Sequence, residues 1–176
     1  MRLLAISGSL RSQSTNTSLL HALALLAPPT FDIALYADLD KIPPFNPDRE
    51  SEENPIVDGF RTALRESDAV IFSTPEYAHG IPGALKNALD WVVGSGELYQ
   101  KPAVMCNASS RAVYAQTALK ETLTVMTAIL LPEAEVTVDL PRRDMTPAEI
   151  AADPQMAAAL RQSLSAIQRH MNGAPC

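Results

Sequence analysis

Residues 68–94 read DAVIFSTPEYAHGIPGALKNALDWVVG. The segment 68–74 is apolar on both faces, the pattern of a strand buried from both sides. Pro75 fixes φ and directs the chain away from the strand end. Gly80, Pro82 and Gly83 follow as turn residues. Pro82 opens a helical pattern over 82–94, at the first turn, where its missing N–H costs little. A buried strand that passes through a short turn into a helix is half of a βαβ unit, so the stretch predicts a parallel sheet.

The same alternation continues on either side. Apolar runs at 2–7, 31–36, 102–108 and 134–139 predict four more strands. Helical spacing predicts helices over 16–27, 56–67, 111–130 and 147–171, the last interrupted or restarted near Pro154. The segment 38–55 carries four prolines and many charges and reads as a long surface loop. Continuous apolar strands separated by helices require cover on both faces of the sheet. Right-handed crossovers leave two common open orders, and five strands in 176 residues favour 2-1-3-4-5 over the dinucleotide-binding order. The expected fold is α/β and flavodoxin-like: a five-stranded parallel sheet in that order, helices on both faces, in a single domain spanning 1–176.

A net charge of −6 argues against general affinity for nucleic acid or an anionic membrane. No apolar run has the length of a membrane span, and the start, MRLLAIS, is too short for a signal-peptide core. Cys106 sits in an apolar run and Cys176 ends the chain, a poor disulfide framework that suits the reducing cytoplasm. Cys106 reads as a buried strand residue rather than a reactive thiol. His21, His79 and His170 stand far apart on different elements, so no metal site is expected.

In an open parallel sheet, ligands bind beyond the carboxyl ends of the strands. Three of these exits are chemically unusual. In SGSLRSQSTNTSLL, residues 7–20, Gly8 permits a tight turn out of the strand. Ser9, Ser14, Thr15, Asn16 and Thr17 offer hydroxyls, an amide and backbone N–H groups, and Arg11 adds a fixed positive charge. A helix that begins near Asn16 points its positive dipole end into the same loop. Together these make an anion site, most naturally for a phosphate monoester. The loop is neither GxGxxG nor GxxxxGK[ST], so it fits neither a dinucleotide diphosphate nor a nucleoside triphosphate. Simple helix capping accounts for Asn16 or Thr15 by itself, but not for Gly8, Ser9 and Arg11 at the strand exit.

At the second exit, Glu76 and Tyr77 sit on an exposed turn, and Gly80 lets the backbone pass close to something flat. Backbone groups there match the edge of a heterocycle, and the tyrosine ring offers a stacking surface. His79 reads as a packing or hydrogen-bonding residue rather than an acid or base, and Glu76 as a carboxylate that orients nearby backbone or a partner subunit. At the third exit, Asn107, Ser109 and Ser110 offer polar contacts and Arg111 a cation. The alternative there is an N-cap at Ser109 or Ser110.

With GSLRxxSxN after the first strand and PEYxxGIPGxLKNxxDW after the third, the chain resembles the NAD(P)H-dependent FMN reductase family. That flavodoxin-like group includes bacterial quinone, azo-dye and chromate reductases. DLDKIPPFNPD is similar to the family's loop after the second strand, and the resemblance covers roughly residues 2–130. It implies bound FMN and a ping-pong cycle, in which NAD(P)H is oxidised first and a small-molecule electron acceptor is reduced second. It implies that Ser9, Arg11, Ser14, Asn16 and Thr17 hold the FMN phosphate. Pro75, Glu76, Tyr77, Ala78 and Gly80 would border the ring, and residues 107–111 would approach its pyrimidine edge. The family often has asparagine where this chain has Ala78, serine where it has Gly80, and a glycine-rich segment where it has NASSRAVYA.

In such a reaction the flavin carries the electrons, so no side chain is assigned a catalytic role. Two rivals are an FMN-binding electron carrier without turnover of its own and a flavin-free regulatory domain. A steady oxidation of NADPH with a quinone separates the first, and flavin absorbance the second. Leu85, Leu89, Trp91 and Val92 give one helix more apolar surface than one face needs, the alternative being that Leu85, Leu89 and Val92 face the sheet and only Trp91 is spare; the family resemblance implies a homodimer or homotetramer. No dedicated 2′-phosphate site that would separate NADPH from NADH is visible in the sequence.

Overall fold

The structure, a computed structural model, describes residues 1–173. Three strands form the centre of a parallel sheet: β1 (Arg2–Ser7), β3 (Ala69–Ser73) and β4 (Pro102–Asn107). They are buried almost along their length, as their unbroken apolar runs require. β2 (Asp32–Leu35) pairs with β1 at one edge and alternates exposed with half-buried residues. The sheet order is β2-β1-β3-β4-β5, the expected flavodoxin-like arrangement.

The far edge differs from the sequence expectation. Six strands are present rather than five, because the last one is broken. β5 (Ile129–Leu130) pairs with Pro102 and Ala103, and β6 (Val136–Thr137) pairs with Cys106 and Asn107, so both continue the same edge of β4. A 3-10 turn at Pro132–Ala134 separates them, and Pro132 has no N–H to give a ladder. The helix expected to run to residue 130 stops sooner: α4 spans Val113–Val125. Thr127 then turns the chain at a φ of 61°, which a β-branched residue adopts only under tertiary constraint. Its carbonyl accepts from the Gln100 N–H at 2.9 Å.

Helices α1 (Thr15–Leu25), α5 (Pro147–Ala152) and α6 (Pro154–Met171) cover one face of the sheet. Their core includes Leu3, Ala5, Leu19, Leu23, Cys106 and Ile167. Helices α2 (Pro55–Glu66), α3 (Gly83–Asp90) and α4 cover the other, around Leu4, Ile6, Phe60, Phe72, Leu85 and Leu119. Successive β1 residues thus alternate between two cores, as the period of a strand demands. The break expected near Pro154 is present: Asp153 caps α6 by accepting from the N–H groups of Gln155 and Met156.

The proline-rich loop is anchored by α3. The Asn87 carbonyl oxygen accepts from the Phe45 N–H at 2.7 Å, and its amide donates to the Pro43 carbonyl at 2.9 Å. The Trp91 indole N–H donates to the same carbonyl at 2.7 Å, and Phe45 packs edge-on against the indole at 5.2 Å. This clamp corrects one expectation. Leu85, Leu89, Trp91 and Val92 are all buried inside the chain, so none of these four is spare for self-association, while the next residue, Val93, is exposed.

Candidate active site

The carboxyl ends of β1, β3, β4 and β6 open on one cavity of about 660 Å³. Its first wall is the exit of β1. Ser9, Arg11, Ser14, Thr15 and Asn16 line it. The N-cap of α1 is Ser14 rather than Thr15 or Asn16: its hydroxyl oxygen accepts from the Thr17 N–H at 3.3 Å. The N–H groups of Thr15 and Asn16 have no partner among the described residues, and the first turn holds no acidic residue. Arg11 is exposed and makes no ion pair among the described residues. Asn16 is buried, and its side-chain oxygen accepts from the Ser73 hydroxyl at 3.0 Å, which ties α1 to β3.

Two residues of this loop have other work. Thr17 does not line the cavity; its hydroxyl bonds the Ser7 hydroxyl at 2.8 Å and fastens α1 to β1. Gly8 is required by packing. A Cβ there would lie 2.5 Å from the Thr74 hydroxyl and 3.1 Å from a Leu85 methyl. The glycine at the strand exit therefore reports on β1, β3 and α3 rather than on a ligand.

The second wall is the exit of β3, where Thr74, Pro75, Glu76 and Tyr77 line the cavity. Tyr77 and Gly80 exchange two backbone hydrogen bonds of 3.0 Å, with Ala78 and His79 between them at φ 48° and 59°. Two successive residues with positive φ make a tight I′-type turn. Ala78 and Gly80 do not line the cavity; they shape the turn that presents Tyr77. A Cβ on Gly80 would meet only the Tyr77 carbonyl, at 3.8 Å, so packing does not demand glycine there. His79 stacks on Tyr114 with ring centroids 4.2 Å apart. Glu76 accepts from the Ala115 N–H at 3.0 Å, inside the first turn of α4. It orients backbone, as its residue type suggested, and it does so for a helix whose own N-cap, Ala112, has no capping side chain.

The third wall is the exit of β4, with Asn107, Ala108, Ser109, Ser110, Arg111 and Ala112. Neither Ser109 nor Ser110 caps α4. The Ser109 hydroxyl accepts from the Arg111 N–H, and the Ser110 N–H donates to Asp139 at 2.6 Å. A fourth wall, Asp139, Leu140 and Arg143 after β6, has no counterpart among the residues singled out from the sequence. The signal was available: a parallel strand followed by DLPRRD must open on the same edge as the others. The hydrogen bonds from Ser110, backbone first, then hydroxyl, hold the Asp139 carboxyl below its ordinary range, with the charge of Arg111 adding to them.

Among the described residues, no group of three or more His, Cys, Asp or Glu side chains could hold a metal ion. The sequence profile described as NADPH-dependent FMN reductase matches residues 1–141.

The chain belongs to that family.

An NAD(P)H-dependent FMN reductase of Pseudomonas aeruginosa is 34% identical over 174 residues, covering 96% of this chain and 94% of the relative. A quinone reductase of Pseudomonas putida is 39% identical over 114 residues, covering 61% of this chain and 60% of the relative. Among solved structures, the flavoenzyme NAD(P)H:acceptor oxidoreductase FerB of Paracoccus denitrificans superposes with a TM-score of 0.79 at 25% identity, over 98% of this chain and 97% of that one. The reductase is therefore an oxidoreductase that uses FMN and a reduced nicotinamide nucleotide. Its cavity fits FMN on its own terms. Free N–H groups and an unpaired Arg11 suit a phosphate monoester. Pro75, Tyr77, Ala108 and Leu140 suit the flat ring, and 660 Å³ falls within the usual range of about 300–1,000 Å³ for small-molecule sites.

Proposed function

We propose that the chain reduces quinones at the expense of NAD(P)H, and that the residues around the 660 Å³ cavity hold FMN for that exchange. FMN, when bound, accepts a hydride from the nicotinamide and returns the electrons to the acceptor. The protein binds and orients. Arg11 and the N–H groups of Thr15 and Asn16 neutralise the phosphate, with Ser9 and Ser14 beside them. Pro75 and Tyr77 border the ring, with Glu76 holding α4 behind them. Asn107, Ser109 and Ser110 line its pyrimidine side. Thr17, Ala78 and Gly80 support these contacts from outside the cavity, the first through Ser7 and the other two through the Tyr77 turn.

One observation carries the reading: an unpaired cation and free helix N–H groups face the same cavity as an exposed tyrosine. The quinone-reductase relative supports the choice of acceptor. The described residues, 1–173, act as one domain, since each core draws on both early and late strands; the last three residues of the expected domain lie outside the described ones. No described helix is long and apolar enough to cross a membrane, and a cytoplasmic site of action fits the buried, unpaired Cys106. Leu10, Tyr77, Val113 and Tyr114 are more than half exposed, and a homodimer or homotetramer would cover them.

The test is an anaerobic titration of the flavin-loaded protein with NADPH, followed by a simple benzoquinone. Bleaching of the flavin absorbance and its recovery on adding quinone, with steady turnover, is expected. Bleaching without quinone turnover would leave an electron carrier instead.

A further inference from the structure

The exits of β1 and β4 face the same cavity and use their backbone N–H groups in opposite ways. At β1 the N–H groups of Thr15 and Asn16 have no partner among the described residues. At β4 the N–H groups from Ser109 to Ala112 are all spent inside the chain. Ser109 donates to the Asn107 side-chain oxygen at 3.3 Å, and Ser110 to the Asp139 carboxylate at 2.6 Å. Arg111 donates to the Ser109 hydroxyl and Ala112 to the Ser109 carbonyl, both at 3.3 Å. Three of these bonds are local. The one to Asp139 joins residues 29 apart and comes from the chain after β6.

That crossing is held twice. The Val138 N–H donates to the Asn107 carbonyl at 2.8 Å, and the carboxylate of the next residue takes the N–H and the hydroxyl of Ser110. Asp139 is exposed and itself lines the cavity. The other carboxylate of the wall, Glu76, accepts from the Ala115 N–H of α4 instead. The charge of Arg111 acts on Asp139, and Arg143 lines the same cavity, so this side carries one carboxylate against two guanidinium groups. A hydride brings two electrons and one proton, so a ring that takes one gains a unit of negative charge until a second proton arrives. A carboxylate beside the ring disfavours that gain, and an N–H already spent cannot offset it. A unit charge on the wall of a 660 Å³ cavity lies within about 10 Å of a ring inside it, where an effective dielectric of about 20 makes it worth roughly tenfold in an equilibrium.

We propose that Asp139 is a positioning residue of the flavin site: it fixes the β4 exit through Ser110 and, by spending that donor and adding a negative charge to the wall, lowers the potential at which the bound flavin accepts a hydride. The proposal rests on the FMN reading of the cavity.

Two substitutions separate the charge from the latch. Asp139→Asn removes the charge and keeps an acceptor oxygen for Ser110; Asp139→Ala removes both. In redox titration of the FMN-loaded protein against a reference dye, Asp139→Asn should favour the reduced flavin about tenfold, a rise of about 30 mV for a two-electron couple. An unchanged or lowered potential overturns the proposal. Asp139→Ala and Asp139→Asn carry equal charge, so their FMN dissociation constants compare the latch alone, and Ala should bind about 2–10-fold more weakly. Equal constants overturn the positioning role. Amide exchange at Ser110, followed by NMR in the flavin-free protein, should be slow in the unaltered chain and in Asp139→Asn, and fast in Asp139→Ala; equal exchange in all three also overturns it. An unaltered chain that retains no FMN would sink the FMN reading and the effect on potential with it, while the exchange measurement would still decide the latch.

Discussion

Arg11 carries its charge where no carboxylate among the described residues neutralises it, beside a helix start that lacks acidic residues. Both features raise the affinity for an anion, and neither helps the fold. Arg11→Ala should weaken FMN binding by ~1.5–3 kcal/mol, the scale of a lost charged hydrogen bond, as read by fluorescence titration with riboflavin 5′-phosphate. An unchanged dissociation constant would remove Arg11 from the site. Cys106 shows the opposite case. It is fully buried in β4, and burial pushes its thiol up to about 12. It should resist iodoacetamide at pH 8 in the native protein and react once urea unfolds the chain; rapid native labelling of this residue would contradict its placement. Its buried role was legible from the apolar run PAVMCNA alone. That of Gly8 was not, because the clash that forbids a side chain there comes from Thr74 and Leu85, on other elements.

At the scale of the element, the most consequential contact is between Glu76 and the first turn of α4. A loop after one strand supplies the cap for a helix after the next, where Ala112 offers no capping side chain. The same loop stacks His79 on Tyr114 of that helix. The turn that presents Tyr77 is therefore held from two sides, which stabilises Ala78 and His79 at positive φ. Glu76→Ala should lower stability by about 1 kcal/mol in urea unfolding, with Glu76→Gln losing less because the amide keeps an acceptor. Equal stability of all three proteins would show that the cap contributes nothing. Local sequence suggested Ser109 or Ser110 for this cap, and local sequence had no means to find Glu76. The helix-like run into residue 130 misled for a related reason: the pairing of Ile129 and Leu130 with Pro102 and Ala103 prevails over helical spacing.

At the scale of the whole molecule, acid stability rests in part on two exposed carboxylates, one that ties the chain after β6 to the exit of β4 and one that closes the capping box of α5. Asp139 accepts from Ser110, and Glu149 accepts from the backbone N–H and hydroxyl of Thr146 and from Arg142. These hydrogen bonds hold both groups below their ordinary values of 3.8 and 4.5. A carboxyl lowered by folding stabilises the native state above its ordinary value, and that contribution is lost as the pH falls through the lowered one. The urea midpoint should therefore stay level from about pH 7 to 5 and fall below about pH 4. Asp139→Asn with Glu149→Gln should flatten that acid limb. A midpoint that rises on acidification would refute the assignment.

The sequence by itself determined the layered α/β architecture, the strand order and the concentration of hydroxyls with an arginine at the first strand exit. Those features follow from local signals: unbroken apolar strands, helical spacing, and hydroxyls with an arginine at a strand exit. The motif LKNxxDW was equally legible as a signature, but its work, clamping the loop at Pro43 and Phe45, was not. Only the tertiary structure decided that the last strand is broken, that Glu76 serves α4, and that Arg111 and Arg143 face one cavity with Arg11. Each of these joins residues distant in the chain, and the chain's own periodicity carries no record of which distant group will meet an unpaired N–H or an unpaired charge.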